Sequence, residues 1–82
     1  SKTTFSIDAL MRGHVQYRHP SGQPVTLSFV NRDSGAELMK REFPGGVIDE
    51  YFSLGSHGLP SGQIGAVIRD AGGAVLADLE PE

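Results

Sequence analysis

The fold of this chain is decided by the stretch Gly62-Gln-Ile-Gly-Ala-Val-Ile-Arg-Asp-Ala-Gly-Gly-Ala-Val-Leu-Ala-Asp-Leu79. Residues 64–69 and 74–79 are short apolar runs, and the turn sequence Asp70-Ala-Gly-Gly73 joins them. Glycine takes a positive φ without a Cβ clash, and such a turn favours a β-hairpin. The stretch therefore predicts two antiparallel strands.

The same alternation of strand and turn extends back to the N-terminus. The segments that alternate apolar and polar side chains, as half-buried strands do, are residues 2–10, 13–18, 24–31 and 47–54. In the first of them Phe5, Ile7 and Ala9 share the apolar face, and in the second Val15 and Tyr17 do. Turns rich in Gly, Pro, Asn and Asp separate the segments, which favours a chain of short strands.

Residues 36–43 carry two conflicting signals. Their Ala, Glu, Leu, Met and Lys side chains are good helix formers. The run is nevertheless bounded by Gly35 and Pro44, and its length is ordinary for a strand and short for a helix. We expect a strand here, with a short helix as the alternative.

The alternation in residues 47–54 is interrupted at Glu50. This charged residue falls on the same face as Ile48 and Phe52, which are apolar. An extra residue in a strand shifts the side chains that follow it to the other face. We therefore expect a β-bulge or a strand end at Glu50.

These patterns together predict an all-β fold. Turn sequences recur roughly every 8–12 residues, the spacing that is typical of a β-sandwich. We expect residues 1–82 to form a single small antiparallel β-sandwich domain of about seven short strands. The core is predicted to contain Val15, Val25, Leu27, Phe29, Phe52, Leu54, Ile64, Ala66 and Ile68.

Composition limits the classes of function. A chain of 82 residues with 38% hydrophobic residues and no Trp can build only a lean core. The net charge is −3 and the basic residues do not cluster, so nucleic acid is not an expected partner. There is no Cys and no apolar run long enough for a membrane helix. Because the chain begins with Ser1 rather than Met, we expect a mature fragment or an excised domain.

The histidines do not form a metal-binding pattern. His14 falls on the polar face of a strand, His19 opens a turn and His57 lies in a long glycine-rich loop. Zinc sites need three or four converging ligands, and no second His or Cys stands at a matching spacing. We expect all three to be individually dispensable surface residues, with no metal and no cofactor.

No catalytic constellation stands out either. Ser56 and His57 are adjacent with Asp49 upstream, but the sequence lacks the strand-to-helix turn of a nucleophile elbow. Asp49 and Glu50 point to opposite faces of a strand and would not form an acid–base pair. We do not expect an enzyme.

Tyr51 is the one candidate partner-binding residue. It lies on the strand face opposite Ile48 and Phe52. If one side of that strand is solvent-exposed, an aromatic side chain there suits a binding patch. If the strand is central and covered on both sides, Tyr51 belongs to the core.

Several short motifs carry a family resemblance. They are Gly13-His-Val-Gln-Tyr-Arg18, Pro24-Val-Thr-Leu27, Phe52-Ser-Leu54, Ile68-Arg-Asp-Ala-Gly-Gly73 and Val75-Leu76. Together they resemble small bacterial lipoprotein β-sandwiches, a group that includes type III secretion pilotins, which escort an outer-membrane secretin. Immunoglobulin-like, transthyretin-like and macroglobulin-like bacterial modules show a similar strand rhythm. The lipid-bearing Cys of the lipoproteins is not in this sequence.

The resemblance implies a non-catalytic protein-binding module of the bacterial cell envelope. Its partner would be a secretin or another envelope protein, bound at an exposed strand edge or apolar face. Its location would be the periplasm or the inner face of the outer membrane, with membrane association only through a lipid anchor outside this chain. The alternative is an immunoglobulin-like structural or adhesion module of a larger extracellular or periplasmic protein.

Overall fold

Two antiparallel sheets face each other in the computed structural model, which describes residues 2–55 and 59–82. The strands are β1 (Thr4–Ile7), β2 (Arg12–Arg18), β3 (Val25–Asn31), β4 (Glu37–Phe43), β5 (Val47–Ser53), β6 (Ile64–Asp70) and β7 (Val75–Leu79). A 3-10 turn, Ser61–Gln63, leads into β6. The all-β prediction is confirmed, and residues 37–43 form a strand and not a helix.

The strands divide three and four between the sheets. The first sheet has the order β1-β2-β5 and the second has the order β4-β3-β6-β7. The C-terminal hairpin of β6 and β7 forms as the sequence predicts, with Gly73 at φ +90° and its N–H bonded 3.0 Å to the Asp70 carbonyl. The chain leaves the first sheet after β2, returns to it for β5 and then crosses back, so β2 and β5 pair across two intervening strands, β3 and β4.

The core lies between the sheets. All nine residues predicted for it are buried, and Phe5, Phe43 and Ile48 join them. The aromatic rings hold the two layers together, since the Phe29 ring centroid lies 5.3 Å from that of Phe52 and 5.7 Å from that of Phe5. Tyr17 was predicted to face inward and is only partly buried at the margin of the core.

The first strand is shorter than the sequence pattern predicts. β1 ends before Asp8, and one Asp8 carboxylate oxygen accepts the backbone N–H groups of Leu10 and Arg12, each at 2.9 Å. This local bonding makes a tight turn in place of further strand. Ala9 is consequently exposed rather than aligned with Phe5.

The predicted irregularity at Glu50 is wrong. β5 pairs with β2 over its whole length without a register shift. Glu50 keeps its place on the inner face between Ile48 and Phe52, and its carboxylate meets the Arg41 guanidinium of the opposite sheet at 3.2 Å. The alternation continues, and an inter-sheet ion pair takes the place of an apolar contact.

Candidate functional site

The most accessible strand edge among the described residues is the outer edge of β5. β5 is the last strand of the three-stranded sheet, and among the described residues no strand pairs with its outer side. It is seven residues long and its pairing with β2 has no bulge. A long regular strand with an unpaired edge is a template for another strand.

The backbone of β5 divides into two sets. The bonds at its two ends join the Leu54 N–H to the Met11 carbonyl at 3.0 Å and the His19 N–H to the Gly46 carbonyl at 2.8 Å. Antiparallel pairs alternate between bonded and non-bonded positions, so the even-numbered residues of β5 bond to β2. The odd-numbered residues direct their N–H and C=O groups to the open edge. These residues are Val47, Asp49, Tyr51 and Ser53.

Tyr51 stands at the middle of this edge on the outer face of the sheet. Its side chain is 61% exposed, which decides between the two sequence interpretations in favour of an accessible ring. The Tyr51 ring is stacked on His14 of β2, with centroids 4.3 Å apart and planes 9° apart, and the Arg12 guanidinium lies 5.3 Å from the Tyr51 centroid. Such contacts restrict the ring's orientation, which lowers the entropy cost of using it in binding.

A hydrogen bond and an ion pair support this outer face. His14 Nε2 lies 3.0 Å from an Asp49 carboxylate oxygen, and Arg12 Nε donates to Asp8 at 2.8 Å. The Arg12 backbone N–H, with help from the Arg12 guanidinium and the Leu10 N–H, holds the pKa of the Asp8 carboxyl below its ordinary value of 3.8. Asp8 therefore stays charged and keeps Arg12 in place beside Tyr51.

Two charged side chains, Glu50 and Arg41, occupy the inner side of β5. Glu50 and Arg41 point between the sheets from two edge strands, and the Arg41 guanidinium lies 5.3 Å from the Phe52 ring centroid. Inward-pointing charges on edge strands oppose uncontrolled edge-to-edge pairing. A partner strand at β5 would consequently contact the outer face more than the interior.

Two surface hollows formed by the described residues lie beside β5 and on the four-stranded sheet. One of about 190 Å³ opens beside Val47 and Asp49, next to Gln16 and Arg18 of β2. Another, of about 350 Å³, lies on the outer face of the four-stranded sheet and is lined by side chains of both charges. Its buried hydroxyl, Ser28, already donates to Glu37 at 3.0 Å, so it is not a spare polar group.

The other three edges are less accessible. On β1, the Phe5 carbonyl accepts the Glu82 N–H of the C-terminal tail at 2.9 Å. β4 has a register shift opposite Phe29 and Val30. β7 also has a register shift, and Arg32 bonds to the Leu79 carbonyl at 3.0 Å.

The residues singled out by the sequence fall at separate places. The structure brings His14 and Tyr51 together and leaves His19 at the β2–β3 turn, while Ser56 and His57 lie outside the described residues. In residues 2–55 and 59–82 no three His, Asp or Glu side chains converge as metal ligands do. Asp49 and Glu50 face opposite sides of β5, as predicted.

Sequence reasoning missed the surroundings of Tyr51. The contacts with Arg12 and His14 depend on the pairing of β2 with β5, which are distant in the chain. The only local signal was the alternation of polar residues from Arg12 to Gln16, which places Arg12 and His14 on one face.

Within the described part of the chain, no helix has the length and apolarity needed to cross a membrane. Comparison with known protein families, with curated proteins and with solved structures finds no match to this chain. The resemblance to bacterial lipoprotein β-sandwiches thus stays a prediction, and the function is inferred from the geometry of β5.

Proposed function

We propose that this protein is a non-catalytic binding module that holds an extended segment of a protein partner at the outer edge of β5. The observation that carries the proposal is an unbulged edge strand whose open side presents the backbone groups of four residues beside an exposed, oriented Tyr51. Strand addition of this kind takes affinity from main-chain hydrogen bonds and specificity from alternate side chains.

The outer face of β5 suits the side chains of such a segment. Val47 is 43% exposed and lies on the same face as Tyr51, with Asp49 between them. A partner strand paired to β5 would place every second side chain over this row. Apolar partner side chains would cover Val47 and Tyr51 and remove them from water.

The resemblance to type III secretion pilotins suggests one cellular location and one partner for this binding module. In that setting the module works at the periplasmic side of the outer membrane and binds a segment of a secretin. Any membrane attachment comes from a lipid anchor outside this chain. A lipid-bearing Cys shortly before Ser1 in the full-length protein would favour this setting.

An immunoglobulin-like structural or adhesion module is the second candidate, and the strand order favours it. Constant-type immunoglobulin sandwiches pair the first, second, fifth and fourth strands in one sheet and the third, sixth and seventh in the other. Here the order differs only in β4, which lies beside β3 instead of β5. Flanking copies of the same domain in the full-length protein would favour this function.

The proposal is tested by capture of a partner from a bacterial envelope extract. Tyr51→Ala should reduce the amount of partner captured and leave the denaturation midpoint nearly unchanged, because the ring is exposed. Val75→Ala is the matched control, since Val75 is an exposed apolar residue on a different edge strand. Equal loss of capture in both variants would show that β5 is not the binding edge.

The histidines supply a second control. Single substitutions of His14, His19 and His57 by Ala should each retain the partner, and His14→Ala should weaken capture more than His19→Ala because it removes the ring stacked on Tyr51. Stoichiometric zinc in the purified wild type, together with loss of the partner when all three histidines are replaced, would show that binding depends on a metal and would overturn this proposal.

A further inference from the structure

We infer that the segment that adds to β5 is basic: a Lys or Arg flanked, two residues away on each side, by apolar side chains. This inference rests on the proposed function and specifies its partner. It follows from the order of side chains along the open edge. That order is apolar, acidic, apolar, in Val47, Asp49 and Tyr51.

The charge of β5 is acidic on both faces. Asp49 on the outer face and Glu50 on the inner face have side chains 63% and 48% exposed, and β5 contains no Lys or Arg. His14 and Arg41 contact these carboxylates from within the domain. A cation directly opposite Asp49 on an added strand would make a favourable cross-strand pair, whereas an anion there would be repelled.

The apolar positions are fixed by the strand period. Val47 and Tyr51 lie two residues before and after Asp49, on the same face. A side chain opposite Val47 would lie beside the hollow of about 190 Å³, and one opposite Tyr51 would contact the exposed ring. The motif is symmetrical about its central cation, so it is the same for a parallel and an antiparallel partner.

A second copy of the chain fits this edge poorly. An antiparallel pair of β5 strands centred on Asp49 would oppose two aspartates, and one centred on Glu50 would oppose two glutamates. A pair centred on Tyr51 avoids like charges but leaves Val47 outside the paired region. The edge is therefore disfavoured for self-association and suited to a segment of opposite charge.

The test uses two capped nine-residue peptides and the ¹⁵N-labelled chain. In one peptide a central Lys is flanked at two residues by Val, with Thr at the other positions, and in the other Glu replaces Lys. We expect the Lys peptide to shift the amide signals of Val47, Asp49, Tyr51 and Ser53 and to bind about tenfold more tightly than the Glu peptide at low salt. Added salt should reduce this difference.

Charge reversal makes the test specific. Asp49→Lys should reverse the preference between the two peptides, whereas Glu42→Lys, the same charge change on an exposed residue of β4, should leave it in place. Equal affinities with the shifts still at β5 would overturn the basic specificity and leave the proposed function standing. No shift at β5 with either peptide at millimolar concentration would overturn both, and a concentration-dependent dimer paired through β5 would replace the basic segment with a second copy.

Discussion

β4 and β5 are consecutive edge strands of equal length, yet the edge of β4 is protected against pairing with another strand and the edge of β5 is not. Each is seven residues long, and the turn at residues 44–46 joins them from one sheet to the other. The outer face of β4 carries Lys40 and Glu42, and its pairing with β3 is interrupted by a register shift. The outer face of β5 carries Val47 and Tyr51, and its pairing with β2 is regular. Charges and bulges discourage strand addition, so β4 is protected where β5 is open.

The difference begins with where β4 pairs. In a constant-type immunoglobulin sandwich the fourth strand covers the edge of the fifth. In this structure β4 pairs with β3 in the other sheet, and the edge of β5 is therefore unpaired. The carboxylates of Asp49 and Glu50 disfavour pairing of that edge with a second copy through charge repulsion, but they do not disfavour a basic segment.

The largest effect on stability is expected from truncating a side chain in the core between the two sheets. Leu27 is fully buried in β3 and pairs with Arg41 of β4 and Ile68 of β6. Leu27→Ala should lower the free energy of unfolding by roughly 2–5 kcal/mol through lost burial and a cavity. Urea denaturation measures this change. An unchanged midpoint would place Leu27 on the surface and reverse the register of β3.

The turn between the two edges is the next most sensitive element. Gly46 has φ +72°, and a Cβ there would collide with the Gln23 backbone oxygen and lie 2.9 Å from the His19 Cβ. Gly46→Ala should lower stability by about 2–4 kcal/mol, because both the left-handed backbone and the close approach exclude a side chain.

Gly45→Ala is the matched control for that turn. A Cβ on Gly45 would meet no atom within 4 Å, although the residue is adjacent to Gly46. Its melting temperature should stay close to that of the wild type. Similar losses in the two variants would show that the turn, rather than the position of Gly46, is sensitive to any side chain.

Proline substitution separates the two backbone sets of β5. Glu50→Pro removes an N–H that bonds to β2 and should cost about 1–3 kcal/mol of stability. Asp49→Pro removes an N–H that faces the open edge, where proline is tolerated, and should cost less while abolishing strand addition. Thermal unfolding and peptide titration of both variants measure the contrast. A larger loss of stability in Asp49→Pro than in Glu50→Pro would mean that the alternation along β5 is assigned in the wrong phase.

Much of the fold could be predicted from the sequence, because the period of two and the turn residues are local signals. They identified the strand from Val25 to Asn31, the C-terminal hairpin and the nine core residues. The exact end of β1 could not be predicted, since it depends on the Asp8 carboxylate capturing the Arg12 N–H in competition with a longer strand.

The candidate site was much less predictable. Tyr51 could be singled out by its position on the strand face, but whether the edge beside it is unpaired depends on which sheet β4 joins. Glu50 was misinterpreted as an irregularity because its partner, Arg41, lies on the other sheet. Contacts between the two sheets depend on the whole fold, so they cannot be inferred from the residue pattern of a single strand.

The smallest expected effect on stability comes from Asp8, in the turn between β1 and β2, which holds Arg12 beside the Tyr51 ring. Asp8 bonds to Arg12, whose guanidinium lies near the Tyr51 ring, and the Arg12 N–H lowers the pKa of the Asp8 carboxyl. Asp8→Asn keeps the size and removes the charge. It should lower the melting temperature slightly at neutral pH and shift the Tyr51 ring proton signals, because Arg12 is held less firmly.

The pH dependence of this variant separates charge from turn geometry. A carboxyl whose pKa is lowered on folding stabilises the protein above its unfolded pKa, and the contribution is lost as the pH falls through the folded value. The difference in melting temperature between wild type and Asp8→Asn should therefore be full at neutral pH and shrink below the ordinary value of 3.8. Asp33→Asn, at an exposed turn residue that forms no ion pair among the described residues, is the control for the loss of one carboxylate. A difference that stayed constant into acid would assign the role of Asp8 to turn geometry alone, and Arg12 would then be positioned beside Tyr51 by the strand and not by its ion pair.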